Sequence, residues 1–109
     1  MTVHMIYMTF KDKAQAREIG RELVQARLAA CVNIFDQMNS IYIWENQLQD
    51  DQEAVLIAKT AEDKVVAVIE AVKARHSYEC PCIVHWPIAG GNTDFLGWVA
   101  AQTTDLINL

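Results

Sequence analysis

The residues best suited to chemistry lie together in one stretch: Cys80-Pro81-Cys82, with His76 four positions before the first cysteine. Cysteines at i and i+2 on extended backbone project to the same side. Two thiolates and an imidazole are donors for a soft or borderline ion, Cu(I) or Zn(II), so His76, Cys80 and Cys82 are the candidate metal ligands. The plainer alternative is that both cysteines are small apolar fillers and His76 a solvated residue at a helix end. His85 has the opposite parity to Cys82 and is expected to point away from the group. Cys31 follows the apolar Leu28-Ala29-Ala30 and reads as packing, with no sequence-local base to activate it. His4, in the first strand, has no spaced partner.

Other residues offer binding rather than catalysis. Glu53 and Lys59 share a parity on one strand but lie about 20 Å apart along it, so Lys59 would have to meet an acid, or an anion, from elsewhere. Trp44, Tyr78, Trp86 and Trp98 suit core or interface anchoring. Gly90-Gly91 before a helix marks a turn; it matches neither a Walker loop nor a dinucleotide fingerprint. The sequence carries no Ser/His/Asp signature, no H-E-x-x-H and no evident pair of catalytic carboxylates. The expectation is a non-enzyme without an organic cofactor.

The elements that must position these residues follow from periodicity. Val3 to Phe10 is apolar on both parities, a strand covered on two faces. Asp12 is placed to cap a helix over residues 13–28, whose stripe is Ala16, Ile19, Leu23 and Ala26. Cys31 to Trp44 is one extended run of strand formers interrupted by the polar Asp36 to Asn39. Fourteen residues at about 3.3 Å each reach about 46 Å, more than a domain this size needs, so the strand is expected to project and pair with another chain. Glu45-Asn46 reads as a tight turn, and Gln47 to Thr60 returns. Thr60 to Asp63 resembles a capping box ahead of a helix with the stripe Val65, Val68, Ile69, Val72. Cys82 to Trp86 is a short strand, Asn92 or Thr93 caps a last helix, and Asp105 to Leu109 is a tail whose Leu106, Ile107 and Leu109 are free to dock. The order β-α-β-β-α-β-α predicts an α+β, ferredoxin-like sheet with helices on one face.

Size and composition agree with a single domain of 109 residues. The charge of −5, from 9 basic and 14 acidic residues, opposes nucleic-acid binding, which needs Lys and Arg on phosphates. No run approaches a membrane span, and Met1 to Phe10 lacks the positive region and cleavage site of an export signal. The expected compartment is the cytoplasm, where three cysteines, an odd number, stay reduced. The 52% apolar content is slightly high for so small a domain and suggests surface buried between subunits.

Several segments together resemble the CutA family of divalent-cation tolerance proteins: Ala26 to Asn33, Ser40 to Trp44, Glu53 to Thr60, His76-Ser77-Tyr78, and Pro87 to Trp98. The resemblance covers residues 3–103. It implies a ferredoxin-like chain in a homotrimer, with a long β-hairpin extending the sheet of a neighbouring subunit, and a shape similar to PII-type signalling trimers. It also implies a role in tolerance of divalent or heavy-metal cations through binding copper or another soft metal ion, with no reaction assigned. Trp44, Lys59, Tyr78 and Trp98 would then surround an inter-subunit cleft. The departures are local. Asn46 replaces a turn glycine, Ser77 a proline, Cys82 a glutamate and Phe95 a tyrosine. A copper site described for some members corresponds to Met8, Arg75 and His76, of which only His76 keeps its type, while Cys82 places a softer donor in the same cleft. The alternative is a PII-like scaffold holding a small anionic ligand, with Lys59 as its counter-charge.

Overall fold

The computed structural model describes residues 2–104. The expected docking of the tail at Asp105 to Leu109 therefore lies outside the described residues. The chain runs β1 (Val3–Phe10), α1 (Lys13–Gln25), β2 (Cys31–Trp44), β3 (Gln47–Ala61), a single 3-10 turn (Glu62–Lys64), α2 (Val65–Arg75), β4 (Ile83–Pro87) and α3 (Thr93–Gln102). The four strands form one sheet in the order β2-β3-β1-β4, every neighbouring pair antiparallel. Among the described residues no helix is long and apolar enough to cross a membrane.

Asp12 caps α1 as its type predicts, its Oδ1 accepting from the Gln15 amide at 2.8 Å. The helix buries Ala16, Ile19, Gly20 and Leu23. It stops three residues before the expected end. Arg27 takes φ 63°, the Leu28 amide bonds back to the Leu23 carbonyl at 3.0 Å, and the Arg27 amide bonds to Val24 at 3.1 Å. This is the paired 6→1 and 5→2 closure that usually employs glycine. Here an arginine adopts the left-handed conformation, and its guanidinium donates to Gln102 Oε1 at 2.7 Å, joining this corner to α3.

Gly20 serves the packing of α1 on the sheet. A Cβ there would stand 3.0 Å from both Leu56 Cδ1 and Val32 Cγ2. Alanine gains roughly 1 kcal/mol of helix propensity, while overpacking costs about 1–3 kcal/mol. We therefore expect Gly20→Ala to lower the urea midpoint slightly; a rise would mean that the strand side chains yield freely.

β2 and β3 pair along almost their whole length, with a register shift between Phe35 and Met38. In that interval Gln37 has φ 58° and its amide bonds to Asp36 Oδ1, so the polar interruption is a β-bulge. The hairpin closes through Glu45 and Asn46, at φ 50° and 65°, the two left-handed residues of a type I′ turn. Thr60 does not cap a helix. It is a fully buried strand residue whose hydroxyl donates to the Leu28 carbonyl at 2.7 Å, and neither the 3-10 turn nor α2 has a side-chain cap. The pull of a strand partner outweighs the local capping pattern. Asn92 does cap α3, accepting from the Asp94 amide at 3.0 Å.

Helices α1 and α2 cover one face of the sheet. Ile6, Met8 and Phe10 of β1 and Ala54, Leu56 and Ala58 of β3 meet Ile19, Leu23, Val68 and Val72 in the main core. Arg75 at the end of α2 ties the helices together through Glu18, at 2.8 Å, and Glu22. The expectation of helices on one face alone is corrected by α3, which packs on the opposite face, where Val99 joins Val3 and Ala30 in a small second cluster. That side of the molecule carries exposed apolar residues: Phe35 of β2 is 57% accessible, Trp86 of β4 42% and Trp98 of α3 43%. The long axis measures 49 Å, and the far half of the β2–β3 hairpin is largely exposed on both strands. The overlong strand does project.

Candidate functional site

The open face holds a pocket of ≈ 460 Å³ at the end away from α3. Cys80 and Cys82 form one wall with Tyr78, and Tyr42 and Trp44 arrive from the hairpin. Strand pairing supplies the floor. Glu53 stands on β3 opposite Met38 of β2, one residue before the pairing with β1 begins at Ala54, and is only 8% accessible. The Tyr78 hydroxyl donates to its carboxylate at 2.8 Å, so the acid is neither fully solvated nor unpaired. The amide of Thr9 donates to the Cys82 carbonyl at 3.3 Å, which fixes the approach of the cysteine segment to β1.

His76 organises this segment rather than facing the pocket. Its Nε2–H donates to the Thr9 carbonyl at 2.7 Å, and its Nδ1 accepts the Tyr78 amide at 3.0 Å. The ring stacks on Phe10 with centroids 4.7 Å apart. Both nitrogens are thus occupied and the tautomer is set. Met8, the counterpart of a soft donor in the resemblance, is fully buried in the core.

Of the seven singled-out residues, Trp44, Tyr78, Cys80 and Cys82 line one pocket and His76 braces it. Lys59 and Trp98 do not line it. Lys59 sits toward the other end of β3, opposite Met5 and Cys31, and donates to Asn33 Oδ1. Trp98 lies on α3 against Phe95, ring centroids 5.6 Å apart. The sequence reading missed the pocket roles of Thr9, Tyr42, Ser77 and Glu79, and it considered Glu53 only in relation to Lys59. A carboxylate opening the apolar run Ala54 to Ala58 is the one available signal.

The pocket disfavours anions on its own side chains. Cys82 is held above the ordinary thiol value of 9.0, first by desolvation and then by the nearby Glu53 carboxylate. Tyr78 is pushed well above 10.0, first by burial and then by its hydrogen bond to Glu53. Tyr7 is raised by burial, with smaller contributions from Cys82 and Glu53. A group whose folded pKa exceeds its unfolded one adds stability below the unfolded value and loses it as pH rises through the folded value. The melting temperature should therefore fall above about pH 9, where unfolded Cys and then Tyr ionise first. Cys82→Ser should soften the first part of that fall, and an unchanged slope in this variant would show that the thiol does not contribute.

The architecture and this pocket define a class: a small α+β domain with two helices on one sheet face and, on the other, a third helix beside a thiol- and acid-lined recess. Residues 4–102 match the family model described as CutA1 divalent ion tolerance protein. This chain belongs to that family. The divalent-cation tolerance protein CutA of Thermus thermophilus is 41% identical over 91% of this chain and 96% of its own length. The chloroplastic protein CutA 1 of Oryza sativa is 38% identical over 93% of this chain and 57% of its own length, so the chain spans little more than half of that relative. In structure, CutA1 from Oryza sativa superimposes with a TM-score of 0.93 at 36% identity, covering 96% of each chain.

Proposed function

We propose that this protein supports tolerance of divalent and heavy-metal cations by binding copper or another soft metal ion at the Cys80–Cys82 wall, in the cytoplasm and without catalysing a reaction. The observation that carries this reading is the pocket's lining. Two thiols and two acids, Glu53 and Glu79, face a space with no lysine or arginine among the described residues that form it. Such a lining favours a cation over an anion. Within one chain no group of three His, Cys, Asp or Glu side chains converges among the described residues. Two thiols suit a two-coordinate soft ion such as Cu(I) better than a four-coordinate Zn(II). His76 enters such a site only by releasing the Tyr78 amide or the Thr9 carbonyl; its part in the present arrangement is to hold the segment. The free cysteines suit a reducing compartment.

A homotrimer accounts for the surface. β2 and β4 are the two edges of the sheet, and an unpaired edge beside exposed Phe35, Trp86 and Trp98 invites pairing. Joining β2 of one copy to β4 of the next is a head-to-tail contact, which forms a closed ring of three when each step turns the chain by a third of a circle, and it would bring a neighbouring subunit beside the pocket. Native mass measurement should give three chains, and a monomer at working concentration would overturn the assembly.

The ligand reading is tested by Cu(I) competition titration. The Cys80→Ser/Cys82→Ser variant should lose more affinity than the roughly 10–100-fold that removal of a supporting residue costs; unchanged affinity removes both ligands. Because Cys82 holds its proton above the usual range, binding should strengthen as pH rises toward that pKa. The PII-like alternative would place an anion near Lys59, outside the pocket. A thermal-shift screen separates the two, since nucleotides but not metals would then raise the melting point.

A further inference from the structure

We propose that His4 and His85 form a second cation site, for a borderline divalent ion such as Zn(II) or Cu(II), on the opposite face of the sheet from the pocket. Antiparallel pairing of β1 and β4 sets His85 opposite Ile6 and Pro87 opposite His4. The two histidines therefore share the face that α1 and α2 cover. Their Nδ1 atoms stand 3.1 Å apart, with ring centroids at 5.2 Å.

Three observations point to a ligand. First, two nitrogens each about 2.0–2.1 Å from a common tetrahedral ion are separated by about 3.3 Å, so the lone pairs already converge nearly enough. A hydrogen bond between two imidazole nitrogens requires one proton between them, here assigned to Nδ1 of His85. An ion displaces it, and the proton moves to the outer Nε2 of His85, so both rings stay neutral.

Second, His4 is 7% accessible, and its Nε2 is buried without a hydrogen-bond partner. A histidine that only fills space pairs such a nitrogen. Third, the nearest acid to that nitrogen is Glu62, whose Oε1 is 4.0 Å away. A metal-bound imidazole characteristically presents its second N–H to a carboxylate. Small closure of the 3-10 turn that carries Glu62 would complete that pairing. His85 is exposed in the single chain, and its side chain leaves β4 on the helix-covered face rather than along the edge that a neighbouring strand would pair, which leaves an entry path and room for water in the remaining coordination positions. None of these residues belongs to the pocket, so the site stands whether or not the pocket binds metal.

The test is calorimetric titration of Zn(II) into the trimer or monomer as isolated, near neutral pH, on the Cys80→Ser/Cys82→Ser background. One ion per chain is expected. Adding His85→Gln, an exposed change that leaves the core untouched, should weaken binding by roughly 10-fold or more. In the parent background, nitrogen NMR should show Zn(II) shifting Nδ1 of both rings. Absence of Zn(II) binding in the cysteine-free variant, or equal binding with and without His85, overturns the proposal.

Discussion

Replacing Phe10 with alanine should remove about 3–5 kcal/mol of unfolding free energy, a large part of the roughly 5–15 kcal/mol that holds a domain together. Phe10 is completely buried at the end of β1, within the cluster that joins the sheet to α1 and α2. Its other ring face lies on His76. Truncation therefore opens a void that reaches from the core to the brace of the pocket. Neighbours fixed in strands have little freedom to collapse into it, since Met8 and Leu56 are themselves fully buried. Urea denaturation measures the loss. A value below about 1 kcal/mol would mean that the region repacks, contrary to close packing of this interior.

His76→Ala should have the next largest effect, about 2–4 kcal/mol. Two hydrogen bonds contribute about 0.5–1.5 kcal/mol each, and the aromatic stack adds a similar amount. The local consequence is more diagnostic than the total. Loss of the imidazole leaves the Thr9 carbonyl and the Tyr78 amide without their partner and loosens the stretch that bears Cys80 and Cys82. Hydrogen exchange at Tyr78 should accelerate, and both thiols should alkylate faster. Parental exchange at Tyr78 would show that its hydroxyl contact with Glu53 suffices to hold the segment.

Local signals served well where one residue type answers one need. Asp12 and Asn92 cap helices because a short side-chain oxygen reaches an amide two or three residues on. β2 ends at Trp44 because Glu45 and Asn46 tolerate a left-handed turn. The end of α1 was invisible because an arginine occupies the position that glycine usually takes. Thr60 misled because a capping pattern and a buried strand hydroxyl look alike in sequence.

The pocket was half legible. Cys80 and Cys82 announce themselves by spacing, and the wall they make is local. Its other side is assembled by the pairing of β1, β2 and β3, which brings Thr9, Tyr42 and Glu53 to the same place from distant positions. The same cause hid the pairing of His4 with His85, 81 residues apart. The bracing role of His76 was hidden for a related reason. Its spacing from Cys80 suggests a ligand, while the carbonyl that accepts its Nε2–H belongs to distant β1.

The bulge at Asp36 and Gln37 works in space as an inserted base works in a message. Phe35 stands opposite Val55 and Met38 opposite Glu53, so three steps along β2 match two along β3. Because neighbouring strand residues alternate faces, the extra residue changes the phase of everything beyond it. Odd positions look toward the open face before the bulge, and even positions do so after it. Met38 can thus take the Tyr7 hydroxyl at 3.5 Å, and Tyr42 and Trp44 reach the pocket, while Ile41 and Ile43 turn the other way. Deleting Gln37 alone would restore the original phase, carry Trp44 to the far side and present isoleucines in its place, without substituting any residue of the site.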